Sequence, residues 1–178
     1  GAHRRAAVEV SAMDELQELK AELAALRDRV RQLEDHRDLT QLVAQYGPSV
    51  DSGTAEETIS IWTEDGESAV VGGEHTFTMK GADELAAMVN DAGHQSLIMN
   101  GCAHVLTAPH LVIDGDRATG RSYALNIRWD GEADRFWVAR VSANRWTWTR
   151  TDKGWKVTER INSNLDGAEA SRALLAPR

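Results

Sequence analysis

Val112-Ile113-Asp114-Gly115-Asp116-Arg117-Ala118-Thr119-Gly120-Arg121-Ser122-Tyr123 reads as two β-segments closed by an Asp-Gly turn. Glycine at such a turn supplies the positive φ that a tight hairpin connection needs. Asp130-Gly131 and Asp152-Lys153-Gly154 repeat the signal further on, so the second half of the chain is a run of consecutive hairpins. Past the quoted stretch the side chains alternate, with Tyr123, Leu125, Ile127 and Trp129 set against Ser122, Ala124, Asn126 and Arg128. A period of two puts these sets on opposite faces of a sheet, and either could be the inward one.

The first half has a different rhythm. Leu16, Leu19, Leu23, Leu26, Val30 and Leu33 recur three and four apart, with Glu18, Lys20, Glu22, Arg27, Asp28, Arg29 and Arg31 between them, which predicts a coiled-coil-like helix. A seam this narrow suits a partner helix, so a homo-oligomer (trimer or dimer) is expected; packing on its own domain is the other reading. The spacing then widens through Leu39, Leu42, Val43 and Tyr46, where a helix enters the globular part, and Gly47-Pro48 is expected to bend or end it. Ala55 to Trp62 reads as a short helix capped by Ser52 or Thr54, followed by a turn at Glu64-Asp65-Gly66. Ser68–Val71 and His75–Met79 read as strands around Gly72-Gly73, and Ala82–Asn90 as an amphipathic helix. Helices first and an antiparallel meander after them give an α+β fold, with a curved antiparallel sheet packed on helices.

Size and composition narrow the function. The 178 residues make one domain with an extension, and 42% hydrophobic content with one cysteine, Cys102, fits neither a disordered chain nor a disulfide scaffold. This suggests a cytoplasmic protein. A formal net charge of -8 argues against nucleic acid, whose binding draws on clustered Lys and Arg. No segment reaches the roughly 18 to 20 apolar residues that span a bilayer, and no signal peptide is expected. Phosphate loops, zinc spacings and nucleophile elbows are not found, so the cofactor expectation is none and the metal expectation is none.

Several landmarks then resemble one family in order. They are Tyr46-Gly47-Pro48-Ser49-Val50-Asp51, Trp62-Thr63-Glu64-Asp65-Gly66, Lys80-Gly81-Ala82-Asp83-Glu84-Leu85, His104-Val105-Leu106-Thr107, the hairpin quoted first, and Gly154-Trp155-Lys156-Val157. Together they resemble the SnoaL-like family, which implies the cone-shaped nuclear-transport-factor-2-like fold of scytalone dehydratase, bile acid 7α-dehydratase, lindane dehydrochlorinase and ketosteroid isomerase. The resemblance implies a SnoaL-like domain over 35–165. Around it are expected a disordered tail or cloning scar over 1–13, the heptad helix over 14–34 and a C-terminal tail over 166–178.

By resemblance, His104 is the base that takes a proton from carbon, Asp51 orients and charges it, and Tyr46 serves the developing anion. The chemistry accounts for the pairing. An imidazole has an unperturbed pKa of about 6.5, near the working pH of a base, and a neighbouring carboxylate fixes its tautomer and stabilises the imidazolium. Each residue also has a plain structural reading: Asp51 as a turn residue, His104 as a hydrogen-bonded core histidine, Tyr46 as core at helical spacing.

Asn126, Arg128, Asn144 and Asn162 sit on the expected sheet and are candidates to anchor a polar group, with Trp62 as an aromatic wall. Arg140 and Arg145 stand among tryptophans and are open to two readings, anion binding or a solvated sheet face. His36, His75, His94 and His110 are given no role. The expected function is a cofactor-independent lyase or isomerase, dehydratase- or cyclase-like, acting on a small, largely apolar polycyclic or polyketide-like substrate. The alternatives are a non-catalytic small-molecule-binding module and an oligomerisation module of the same fold.

Overall fold

The computed structural model describes residues 2–71 and 76–177. The Gly72-Gly73 turn and His75, read as the start of a strand, lie outside the described residues. The chain forms two units, 1–37 and 38–178. Helix α1 runs from Ala2 to Asp51, so the heptad stripe and the first domain helix belong to one element whose helical backbone begins ahead of the stripe. Along the stripe, Leu16, Leu19, Leu23, Leu26, Val30 and Leu33 are between 48% and 71% exposed.

Gly47-Pro48 does not end α1. Proline's fixed φ is compatible with a helix, and the Pro48 carbonyl still accepts from the Ser52 N–H at 2.9 Å, so the last turn closes around it. The helix stops at Asp51, and Gly53 follows at φ +71. Leu39, Val43, Tyr46 and Val50, spaced four, three and four apart, form the buried stripe of this part of α1.

The remaining elements are α2 (Ala55–Ser60), β1 (Trp62–Val71), β2 (Phe77–Lys80), α3 (Gly81–Asn90), α4 (Ala92–Met99), β3 (Cys102–Leu106), β4 (His110–Asp114), β5 (Arg117–Asp130), β6 (Arg135–Thr151), β7 (Gly154–Asn164) and α5 (Glu169–Ala173). The expected hairpin turns fall between β4, β5, β6 and β7. One turn does not: Glu64-Asp65-Gly66 lies inside β1, where an irregularity between Trp62 and Glu67 absorbs it. Thr54 caps α2 without a side-chain hydrogen bond, and α2 stops at Ser60 so that Trp62 can open β1. Helix α4 was not expected; Asp91 caps it by accepting from the N–H groups of Gly93 and His94.

Among the described residues the strands form one unclosed, curved sheet in the order β2-β1-β7-β6-β5-β3, with β4 also on β5. The meander from β4 to β7 is antiparallel, while β1 joins β7 in parallel. The core lies between this sheet and α1 and α3, where Leu85 and Val89 meet Trp146, Trp148 and Val157, all 0–1% exposed. The Trp146 and Trp148 rings stack at 5.8 Å. On β5 the inward set is Ser122, Ala124 and Asn126; Ser122 is buried, whereas Tyr123 on the other face is 48% exposed. Segment 166–178, read as a tail, carries α5, and Arg145 donates to the carbonyls of Ala173, Leu174 and Ala176.

Gly47 decides how α1 meets β3. A Cβ there would run into the backbone carbonyl of His104, so glycine permits the close approach. Gly47→Ala is therefore expected to destabilise the chain by about 1–3 kcal/mol, as overpacking does, measured by denaturant unfolding; an unchanged midpoint would show that the contact relaxes freely. If the exposed stripe is an assembly seam, removing residues 1–31 should lower the sedimentation mass while 38–178 stays folded. An unchanged mass would remove the assembly role.

Candidate active site

Asp51 is the last residue of α1, and His104 stands in the middle of β3. The His104 backbone N–H donates to Asp51 Oδ2 at 2.6 Å, and the ring Nδ1–H donates to Asp51 Oδ1 at 2.6 Å. One carboxylate thus holds both the strand and the imidazole. The two side chains are 19% and 21% exposed, shielded from bulk water yet reachable.

With Nδ1 protonated toward Asp51, Nε2 carries the lone pair. Across the sheet His104 is in register with Asn126, and Asn126 with Arg140. Arg128 Nε donates to Asn126 Oδ1 at 3.1 Å, which turns the amide nitrogen toward His104 Nε2 at 3.0 Å and Cys102 Sγ at 3.5 Å. The network sets the tautomer from both sides. His94 lies beside His104, with ring centres 6.1 Å apart, and its Nε2 donates to the Val50 carbonyl at 2.8 Å.

A narrow cavity opens on this face, lined by Tyr46, His104, Asn126, Arg140, Arg160 and Asn162 together with Ser142 and neighbouring apolar groups. Arg160 Nη1 donates to the Tyr46 hydroxyl at 3.2 Å, and its guanidinium lies over the Tyr46 ring at 4.5 Å. Of the residues expected at a site, Tyr46, Asp51, His104 and Asn126 come together, and Arg128 joins through Asn126. Asn144 is buried one layer away, accepting from Asn162 Nδ2 at 3.0 Å. Trp62 packs in the core and does not line this cavity.

Arg160 was not anticipated. Its strand reads Trp155, Val157, then Arg160, Asn162 on the inner face, because Thr158 is an extra residue opposite the Thr147–Trp148 step of β6 and shifts the alternation. Arg140 follows a similar irregularity at Ala139. Burial, and then the charge of Arg160, hold the Arg140 guanidinium below the usual arginine value.

Asp51, Cys102 and His104 place possible metal-ligand atoms within 4.8 Å of one another. In this arrangement Asp51 Oδ1 and His104 Nδ1 are bonded to each other, and burial followed by the Asp51 charge raises the Cys102 thiol, favouring its protonated form. Among the described residues no helix is long and apolar enough to cross a membrane.

The architecture, a curved open sheet over helices with the site at the junction of α1 and β3, is that of the nuclear-transport-factor-2-like proteins. The chain belongs to the SnoaL-like family, whose domain matches residues 31–161. It is similar to a nuclear-transport-factor-2-like protein with a cystatin-like fold from Novosphingobium aromaticivorans, at 43% identity over 85% of this chain and 96% of that one, TM-score 0.80. A protein of unknown function from Mycobacterium tuberculosis shares the fold at 18% identity, TM-score 0.65, covering 84% and 88% of the two chains. So does a hexachlorocyclohexane dehydrochlorinase from Novosphingobium barchaimii, at 20% identity, TM-score 0.63, covering 79% and 96%. No curated protein matches the chain.

The hydrogen-bond network predicts the tautomer of the His104 ring. Nitrogen NMR of the His104 ring at neutral pH should show a protonated Nδ1 and a bare Nε2. The opposite tautomer would contradict the Asp51 contact.

Proposed function

We propose that this SnoaL-like chain abstracts a proton from carbon on a small substrate without a cofactor, with His104 as base and Asp51 as its partner. The observation that carries the reading is the pair of hydrogen bonds that His104 donates to Asp51, which leaves the Nε2 lone pair, accepting from Asn126 in this structure, as the basic position on a cavity-lining side chain. In the reaction Nε2 takes the proton, and the imidazolium so formed is stabilised by the Asp51 carboxylate, which stays ionised. The substrate C–H replaces the Asn126 amide at Nε2; Asn126 then has an N–H free to steady the substrate. Tyr46 accepts from Arg160, so its own hydroxyl proton can be offered to the developing anion. A lyase or isomerase outcome follows from where the electron pair goes next, and the fold shared with a dehydrochlorinase supports this class.

The cavity bears on the substrate. Arg140, Arg160, Asn126 and Asn162 make its wall more polar than a polycyclic hydrocarbon skeleton would call for.

With a substrate found by screening, His104→Ala should lower kcat by roughly 10² to 10⁴ with a much smaller change in KM. Asp51→Asn should do similar damage, since an amide cannot stabilise the imidazolium. Full turnover in both folded variants would leave the dyad a structural clamp and make the chain a binding module.

A further inference from the structure

Two guanidiniums face the cavity, and neither has a carboxylate partner among the described residues. Arg160 is 5% exposed, its Nη1 is taken by the neutral Tyr46 hydroxyl, and its buried Nε has no partner among the described residues. Arg140 lines the same cavity, close enough for Arg160 to disfavour its charged form. The carboxylate of Asp51 is committed to His104 through both oxygens. Arginine does not give up its proton in a protein, so Arg160 is a buried positive charge, with half-buried Arg140 as a second one beside it. Such charges are strongly unfavourable unless something arrives to neutralise them. Asn162 Oδ1, also buried and without a partner among the described residues, lies on the same wall and offers an acceptor for a hydroxyl.

We propose that the cavity binds a small organic carboxylate, its anionic group seated on Arg140 and Arg160 and its carbon chain directed toward His104. This deepens the proton-abstraction reading by naming its substrate class, and rests on it only for the role of His104. A carboxylate is favoured because it is planar and offers two oxygens to a guanidinium fork. The formal net charge of -8 does not oppose this, since the field that matters inside a cleft is that of the groups lining it.

The test is a proton–nitrogen NMR titration of the full chain with crotonate and with crotonamide, which share a shape and differ in charge. Crotonate should bind saturably and at least about 10-fold more tightly, with shifts at residues around the cavity. Arg140→Gln should weaken crotonate by about 10- to 100-fold, the range for lost hydrogen bonds to a charged group, and leave crotonamide nearly unchanged. Arg140→Lys should recover part of the loss. Because Arg160 is a core residue, Arg140, which is half-buried, carries the test, and the spectrum itself reports folding. Equal affinity for the two ligands, no saturable binding, or crotonate binding untouched by Arg140→Gln would each overturn the assignment. Binding is read without turnover, so charge-dependent binding by a chain whose His104 variant keeps full activity would sink the base and spare the anion site.

Discussion

Both oxygens of Asp51 end on the same residue, one on the backbone N–H of His104 and one on its ring, each at 2.6 Å. A carboxylate used in this way joins the end of a helix to the middle of a strand, and it also determines which ring nitrogen keeps its proton. The rest of the site is built around that clamp. Gly47 lets α1 approach the His104 carbonyl, the helix continues through Pro48 to deliver Asp51, and β5 brings Asn126 to the far side of the imidazole. A fold requirement and a chemical requirement meet in one pair of hydrogen bonds.

The opposite wall follows a different rule. Arg160 lies over Tyr46 and near Trp146, with centroid distances of 4.5 and 5.2 Å, so the core supplies the aromatic faces that make a buried guanidinium tolerable. Cation–π contact offsets part of the desolvation and leaves the charge in place. If His104 is the base, its imidazole on one wall and the two guanidiniums on another would suit a substrate that arrives as an anion and passes through a more anionic state.

Much of this was legible in the chain. The Asp-Gly turns located the meander, the family landmarks located Asp51 and His104, and the spacing of Leu39, Leu42, Val43 and Tyr46 marked where α1 enters the globular part. What escaped had local physical causes. Helix α4 has no apolar stripe, so periodicity does not reveal it, and it depends on the Asp91 cap. Arg160 follows an extra residue at Thr158, which resets the two-residue alternation and hides its inward direction, and a similar extra residue at Ala139 is why the sequence left Arg140 open between anion binding and a solvated face. Trp62 was a reasonable pocket wall by type, but the start of β1 turns it into the core.

The most direct test of the account is a double-mutant cycle on turnover between Asp51 and His104. If Asp51 acts through the imidazole, Asp51→Asn combined with His104→Gln should lose no more activity than His104→Gln alone, because the carboxylate has nothing left to orient or to stabilise. Losses that multiply in the double variant would mean that the two residues act independently, and the clamp would no longer explain the site.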